Sequence, residues 1–177
     1  MISNYYVLTA SHCVHPTLLS KNQLIGVRLG EWDLSQQKDC DDSLINEVVC
    51  APPPIDIGIE ETIMHEKYRP SSSNQHNDIA LLRMRQKVNY GEFIRPICLP
   101  TTPSSRSANA VGDQLTTAGW GKTETGNKSD VKLKVLVPIF DSQKCGSKYK
   151  AQGRNIVATQ ICAGGNPGEG KSDLSPL

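Results

Sequence analysis

The stretch Tyr6-Val7-Leu8-Thr9-Ala10-Ser11-His12-Cys13 opens with an apolar run and closes on a histidine beside a cysteine. Residues 5–9 read as a strand, because β-branched and aromatic side chains suit a pleated, half-buried surface. A histidine straight after a strand, next to a cysteine able to anchor its loop, has two readings: a proton acceptor, or a plain structural residue. A second stretch, His76-Asn77-Asp78-Ile79-Ala80-Leu81-Leu82, leads an aspartate into a strongly apolar run. A carboxylate at the mouth of a buried strand is costly unless it is hydrogen-bonded. Taken singly, Asp78 is a turn residue capping its loop. Taken with His12 it has a sharper meaning. A buried aspartate that accepts the Nδ1 proton of a histidine fixes the tautomer, and it stabilises the imidazolium formed when the ring takes a proton from a serine. His12 is then the candidate base and Asp78 its orienter.

Outward from these stretches, short apolar runs alternate with turn-rich segments, the pattern of an all-β sandwich or barrel. Further strands are expected at 24–29, 79–84, 115–120 and 131–137. In the last, the alternation Val131, Lys132, Leu133, Lys134, Val135 predicts one wet and one buried face. One short helix is expected at 141–150 with Asp141 as its N-cap. Loops are expected at 35–54, 70–77, 100–112 and 123–130, which are rich in Ser, Asn, Asp, Pro or Gly.

The length of 177 residues, with 37% hydrophobic and 21% charged side chains, suits one globular domain with a real core. Lys and Arg number 19 against 18 Asp and Glu, so no large field of one sign exists to attract nucleic acid or a membrane. Met1-Ile2-Ser3-Asn4-Tyr5 carries no basic n-region and no apolar run of signal-peptide length. Six cysteines lie at irregular spacing, with neither a CxxC pair nor a zinc-like cysteine-histidine cluster. That pattern favours disulfides in an oxidising, extracellular compartment. The Asn127-Lys128-Ser129 sequon is an acceptor for glycosylation if the chain is secreted.

Five stretches, in order and at similar spacing, resemble the chymotrypsin/trypsin family of serine proteases. They are Tyr6 to Cys13, Asn77-Asp78-Ile79-Ala80-Leu81-Leu82, Arg95-Pro96-Ile97-Cys98-Leu99-Pro100, Ala118-Gly119-Trp120-Gly121 and Gln160-Ile161-Cys162-Ala163-Gly164-Gly165. The resemblance implies an all-β fold of two packed antiparallel β-barrels with one short helix. The chain would be a partial, truncated peptidase domain over 1–177, with an N-terminal barrel at roughly 1–100 and a C-terminal barrel at roughly 112–177. Leu29-Gly30-Glu31-Trp32-Asp33, then Cys40, Cys50 and Ala51-Pro52-Pro53-Pro54, is similar to the loop insertion of arthropod clip-domain proteases, which act in extracellular immune and developmental cascades.

The same resemblance implies disulfides Cys40 with Cys50 and Cys145 with Cys162. Cys13 and Cys98 would pair with cysteines upstream of Met1, although a Cys13–Cys98 bridge stays open as an alternative. No cofactor is required for catalysis. Glu31 and Asp33 match positions at which trypsin-like enzymes hold a structural calcium ion; with Asp41, Asp42 and Glu47 they form either that site or a solvated acidic turn. The family's Gly-Asp-Ser-Gly-Gly-Pro-Leu segment, which carries the nucleophile and the oxyanion hole, has no match in 166–177. Aligned from Pro176-Leu177, the nucleophile position holds Asp173, with Ser172 and Ser175 nearby. The activation cleavage and first strands would lie before Met1, and the last strands after Leu177.

Two functions are therefore expected as rivals. One is a secreted serine endopeptidase cleaving after Arg or Lys, a specificity taken from the subfamily. Its partners would be protein substrates such as another protease zymogen or a cascade precursor, and a serpin inhibitor. The other is a non-catalytic serine protease homologue acting as a cascade cofactor. A calcium-dependent adhesion module is a third, weaker possibility.

Overall fold

The computed structural model describes residues 1–19, 23–41, 48–104, 110–123 and 126–164. These fall into two compact units, Met1–Leu99 and Pro100–Leu177.

The first unit is built on a four-stranded antiparallel sheet of β1 (Tyr6–Thr9), β2 (Gly26–Leu29), β5 (Ile55–Met64) and β6 (Ala80–Met84). Its spatial order is β1-β6-β5-β2. β6 is central, and its period-two pattern buries Ala80, Leu82 and Met84 to 2%, 4% and 0% exposure. β5 bends the sheet: its first half pairs with β2 and its second half with β6, with a bulge between Ile59 and Glu61. A bulge adds local twist and curls the strand. Where β2 meets β5, a Cβ on Gly26 would lie 2.7 Å from the Ile57 carbonyl oxygen, so only glycine permits the approach. Val14, Ala80 and Leu82 form one core cluster and Ile57, Met84 and Val88 another; Val7 and Val27 pack against both. A single turn of helix, α1 (Pro16–Leu19), follows the first strand.

The loop expected at 35–54 contains two short paired strands, β3 (Cys40–Asp41) and β4 (Val49–Cys50). They set Cys40 opposite Cys50, and these two residues form a disulfide. β5, the longest strand, has no counterpart among the strands expected from sequence.

In the second unit β7 (Gln114–Gly119) and β8 (Leu133–Pro138) form an antiparallel hairpin. The buried face expected on β8 is absent: Leu133 and Val135 are 49% and 57% exposed. Among the described residues the strand pairs with β7 alone, and a two-stranded hairpin has no second layer to bury its apolar side chains. The helix α2 (Ser142–Lys150) starts where expected. The Asp141 carboxylate accepts from Gln143 N and Lys144 N, while Lys148 and Lys150 occupy the last turn, complementing the helix dipole. Cys145 and Cys162 form a disulfide and pack with Tyr149, Phe140 and Ile156. Residues 162–164 run beside 138–140, with Phe140 N donating to Cys162 O at 2.8 Å.

Among the described residues no helix is long and apolar enough to cross a membrane.

Candidate active site

The β1–β6 ladder ends with Thr9 opposite Ala80. His12 lies three residues beyond Thr9 and Asp78 two before Ala80, so the register alone brings both to the same end of the sheet. Between Thr9 and His12 the chain tightens into a 3-10 turn, Ser11–Cys13. That turn is anchored on both sides, by Ser11, which is wholly buried, and by Val14, which sits in the core.

Asp78 is presented by an unusual backbone. Asn77 has φ +58, a left-handed conformation that asparagine tolerates better than most residues. Its side chain donates to Lys67 O, and its carbonyl accepts from Ile79 N at 2.8 Å. The chain thus folds sharply about Asp78 just before the strand begins.

His12 and Asp78 meet through two hydrogen bonds. The backbone N–H of His12 donates to Asp78 Oδ1 at 2.8 Å, and His12 Nδ1 lies 2.6 Å from Asp78 Oδ2. The aspartate side chain is 16% exposed and the histidine side chain 51%. A carboxylate bonded to both the ring and the main chain of one histidine fixes that ring's orientation and leaves Nε2 as the ring nitrogen not engaged by the carboxylate. Cys13 Sγ stands 3.4 Å from Nε2. Cys13 and Cys98 are exposed thiols with no bridge between them, so the alternative Cys13–Cys98 disulfide is not formed.

Two neighbours of the pair are not apparent from sequence. Ser11 Oγ donates to Ile79 O at 2.7 Å, and the same carbonyl accepts from His65 N at 3.1 Å. One oxygen therefore ties the histidine turn, the end of β5 and the start of β6. Tyr68 is 7% exposed, with its ring 5.9 Å from that of His15. Burial, then the nearby Asp78 carboxylate and Cys13, push its phenol above the ordinary tyrosine range. No local motif marks Tyr68, since it reaches the site from a loop distant in sequence.

Among the described residues, the carboxylates of the acidic loop are engaged by groups of the loop and its neighbours. Glu31 Oε1 accepts from Trp32 N at 3.0 Å, and its Oε2 faces the Arg28 guanidinium at 3.4 Å. Asp33 Oδ1 accepts from both the amide and the hydroxyl of Ser35. Asp39 receives the amides of Trp32 and Asp33. Arg28 also grips Asp56 with two bonds of 2.8 Å, which hold the Asp56 carboxyl below its usual range. Among the described residues no group of three or more His, Cys, Asp or Glu could hold a metal ion. Asp42 and Glu47 lie outside the described residues, as do Ser172, Asp173 and Ser175.

The trypsin family's sequence profile matches residues 1–173. The chain is 47% identical over 169 residues to serine protease ea of Drosophila melanogaster, covering 95% of this chain and 43% of that protein. It is 46% identical over 169 residues to the CLIP domain-containing serine protease HP8 of Bombyx mori, covering 95% of this chain and 44% of that protein. The crystal structure of the Drosophila Grass clip serine protease of the Toll pathway superposes with a TM-score of 0.78 at 37% identity, over 94% of this chain and 45% of that one. The chain spans less than half the length of each of these proteins.

Proposed function

The chain belongs to the trypsin family of serine proteases, with the chymotrypsin fold and arthropod clip-domain relatives, and from that premise we propose that it is part of a secreted serine endopeptidase of an extracellular cascade. The observation that carries this reading is the double hydrogen bond between His12 and Asp78. We read 1–177 as a partial peptidase domain whose two units are its incomplete N- and C-terminal barrels.

In the proposed reaction His12 Nε2 takes the proton of a serine hydroxyl as that oxygen attacks the substrate carbonyl carbon. It then returns the proton to the leaving amine, freeing the first product and an acyl-enzyme. Water repeats the cycle: Nε2 takes its proton, its oxygen attacks the ester, and the serine leaves with the returned proton. Asp78 stabilises the imidazolium throughout. Members of this family need no cofactor for the chemistry. The nucleophile lies outside the described residues.

The substrate class is a protein cut after Arg or Lys, such as another protease zymogen or a cascade precursor, with a serpin as the matching inhibitor. A relative named for the Toll pathway supports a place in a protein cascade. Extracellular residence is supported by the disulfides Cys40–Cys50 and Cys145–Cys162, which persist in oxidising compartments.

One observation favours a second reading, a non-catalytic homologue serving as a cascade cofactor: Asp173 stands where the family aligns its nucleophile. Labelling of the activated full-length gene product with a fluorophosphonate separates the two. Covalent labelling that disappears in His12→Ala supports the endopeptidase. Folded, activated protein that takes no label and does not hydrolyse an arginyl ester leaves the cofactor reading.

A further inference from the structure

We propose that Asn127 is a glycosylation site, carrying on its Nδ2 an oligosaccharide rooted in N-acetylglucosamine. Among the asparagines of this chain, Asn127 alone is followed by a non-proline residue and then Ser or Thr. The fold accommodates the substituent. Asn127 is exposed in the connection between β7, which ends at Gly119, and β8, which begins at Leu133, so no ladder bond involves it.

The neck of that connection is fixed by Ser129, whose amide donates to Trp120 O at 3.1 Å and whose hydroxyl donates to Val131 O at 2.7 Å. Beyond the neck, Lys128 and Asp130 have side chains 78% and 52% exposed and pair with each other at 3.4 Å. Asn127 therefore stands on a pinned, charged, water-facing turn, where a large solvated sugar displaces no packed side chain. In the transfer, Nδ2 forms a C–N bond to the anomeric carbon of a lipid-pyrophosphate-linked oligosaccharide. The bond from that carbon to the phosphate oxygen breaks, the lipid pyrophosphate leaves with the electron pair, and the amide gives up one proton.

This inference rests on the extracellular reading above, because the transferase acts inside the secretory route. The test expresses the full-length gene product in insect cells and maps peptides from the medium before and after enzymatic removal of N-glycans. The site is supported if the Asn127 peptide appears only after treatment, with Asn127 converted to aspartate. Ser129→Ala should lose the modification, whereas Ser129→Thr should keep it. Secreted protein with unmodified Asn127 overturns the site and leaves the extracellular reading standing. Protein confined to the cytosol overturns both.

Discussion

The buried hydroxyl of Ser11 donates to the carbonyl oxygen of Ile79 at 2.7 Å, joining the residue before His12 to the residue after Asp78. The histidine and the aspartate are therefore held at their backbones as well as through their own side chains. In the proposed reaction such rigidity matters because proton transfer depends steeply on distance and alignment.

Removing that tie should cost stability modestly. Ile79 O keeps its bond from His65 N in Ser11→Ala, so no acceptor is orphaned. The expected loss is one hydrogen bond, about 1 kcal/mol. Denaturant unfolding of the full-length protein with and without the substitution measures it, and an unchanged midpoint would show that the tie contributes nothing.

Asp78 should matter for turnover far more than for folding. In Asp78→Asn the amide can no longer stabilise the imidazolium and favours the wrong tautomer. Turnover of an arginyl ester should fall by about four powers of ten with KM little changed. A loss below tenfold in a folded variant would separate the carboxylate from the chemistry.

Tyr68 ties stability to alkaline pH. Its folded-state pKa is raised, so the neutral phenol is favoured in the native protein. The stabilisation is complete below the unfolded tyrosine pKa of about 10 and is lost as pH rises through the higher folded value. Tyr68→Phe should flatten the fall in melting temperature above about pH 10. An identical alkaline limb in the variant would sink the prediction.

The Cys145–Cys162 bridge closes 17 residues of chain and sits in a core cluster of the second unit. Paired replacement by serine should cost about 3 kcal/mol on the chain-entropy estimate, plus the loss of two buried sulfurs. Replacing Cys40 and Cys50 should cost less, because that bridge spans only 10 residues and Cys40 is exposed rather than packed in a core cluster. Thermal melts of the two variants give the order directly.

Much of the site was legible as sequence because its parts are local. His12 follows a strand, Asp78 precedes one, and both strands carry the apolar runs that mark them. Asp141 was legible as a helix cap for the same reason. β5 was not, although Ile55, Ile57 and Ile59 alternate as a half-buried strand should, since its Asp, Gly and Glu residues dilute the apolar signal. The exposure of Leu133 and Val135 was also hidden, because alternation states which side chains share a face but not whether anything covers it.

Sequence by itself determined the strand-forming runs beside His12 and Asp78 and the family, since each depends on residue type and spacing. Only the tertiary structure decided that Ser11 and His65 share the Ile79 carbonyl, that Tyr68 is buried beside His15, and that Glu31 meets Arg28. Those relations join segments far apart in the chain or turn on where a side chain points, and both are settled by strand register and packing, which no local pattern encodes.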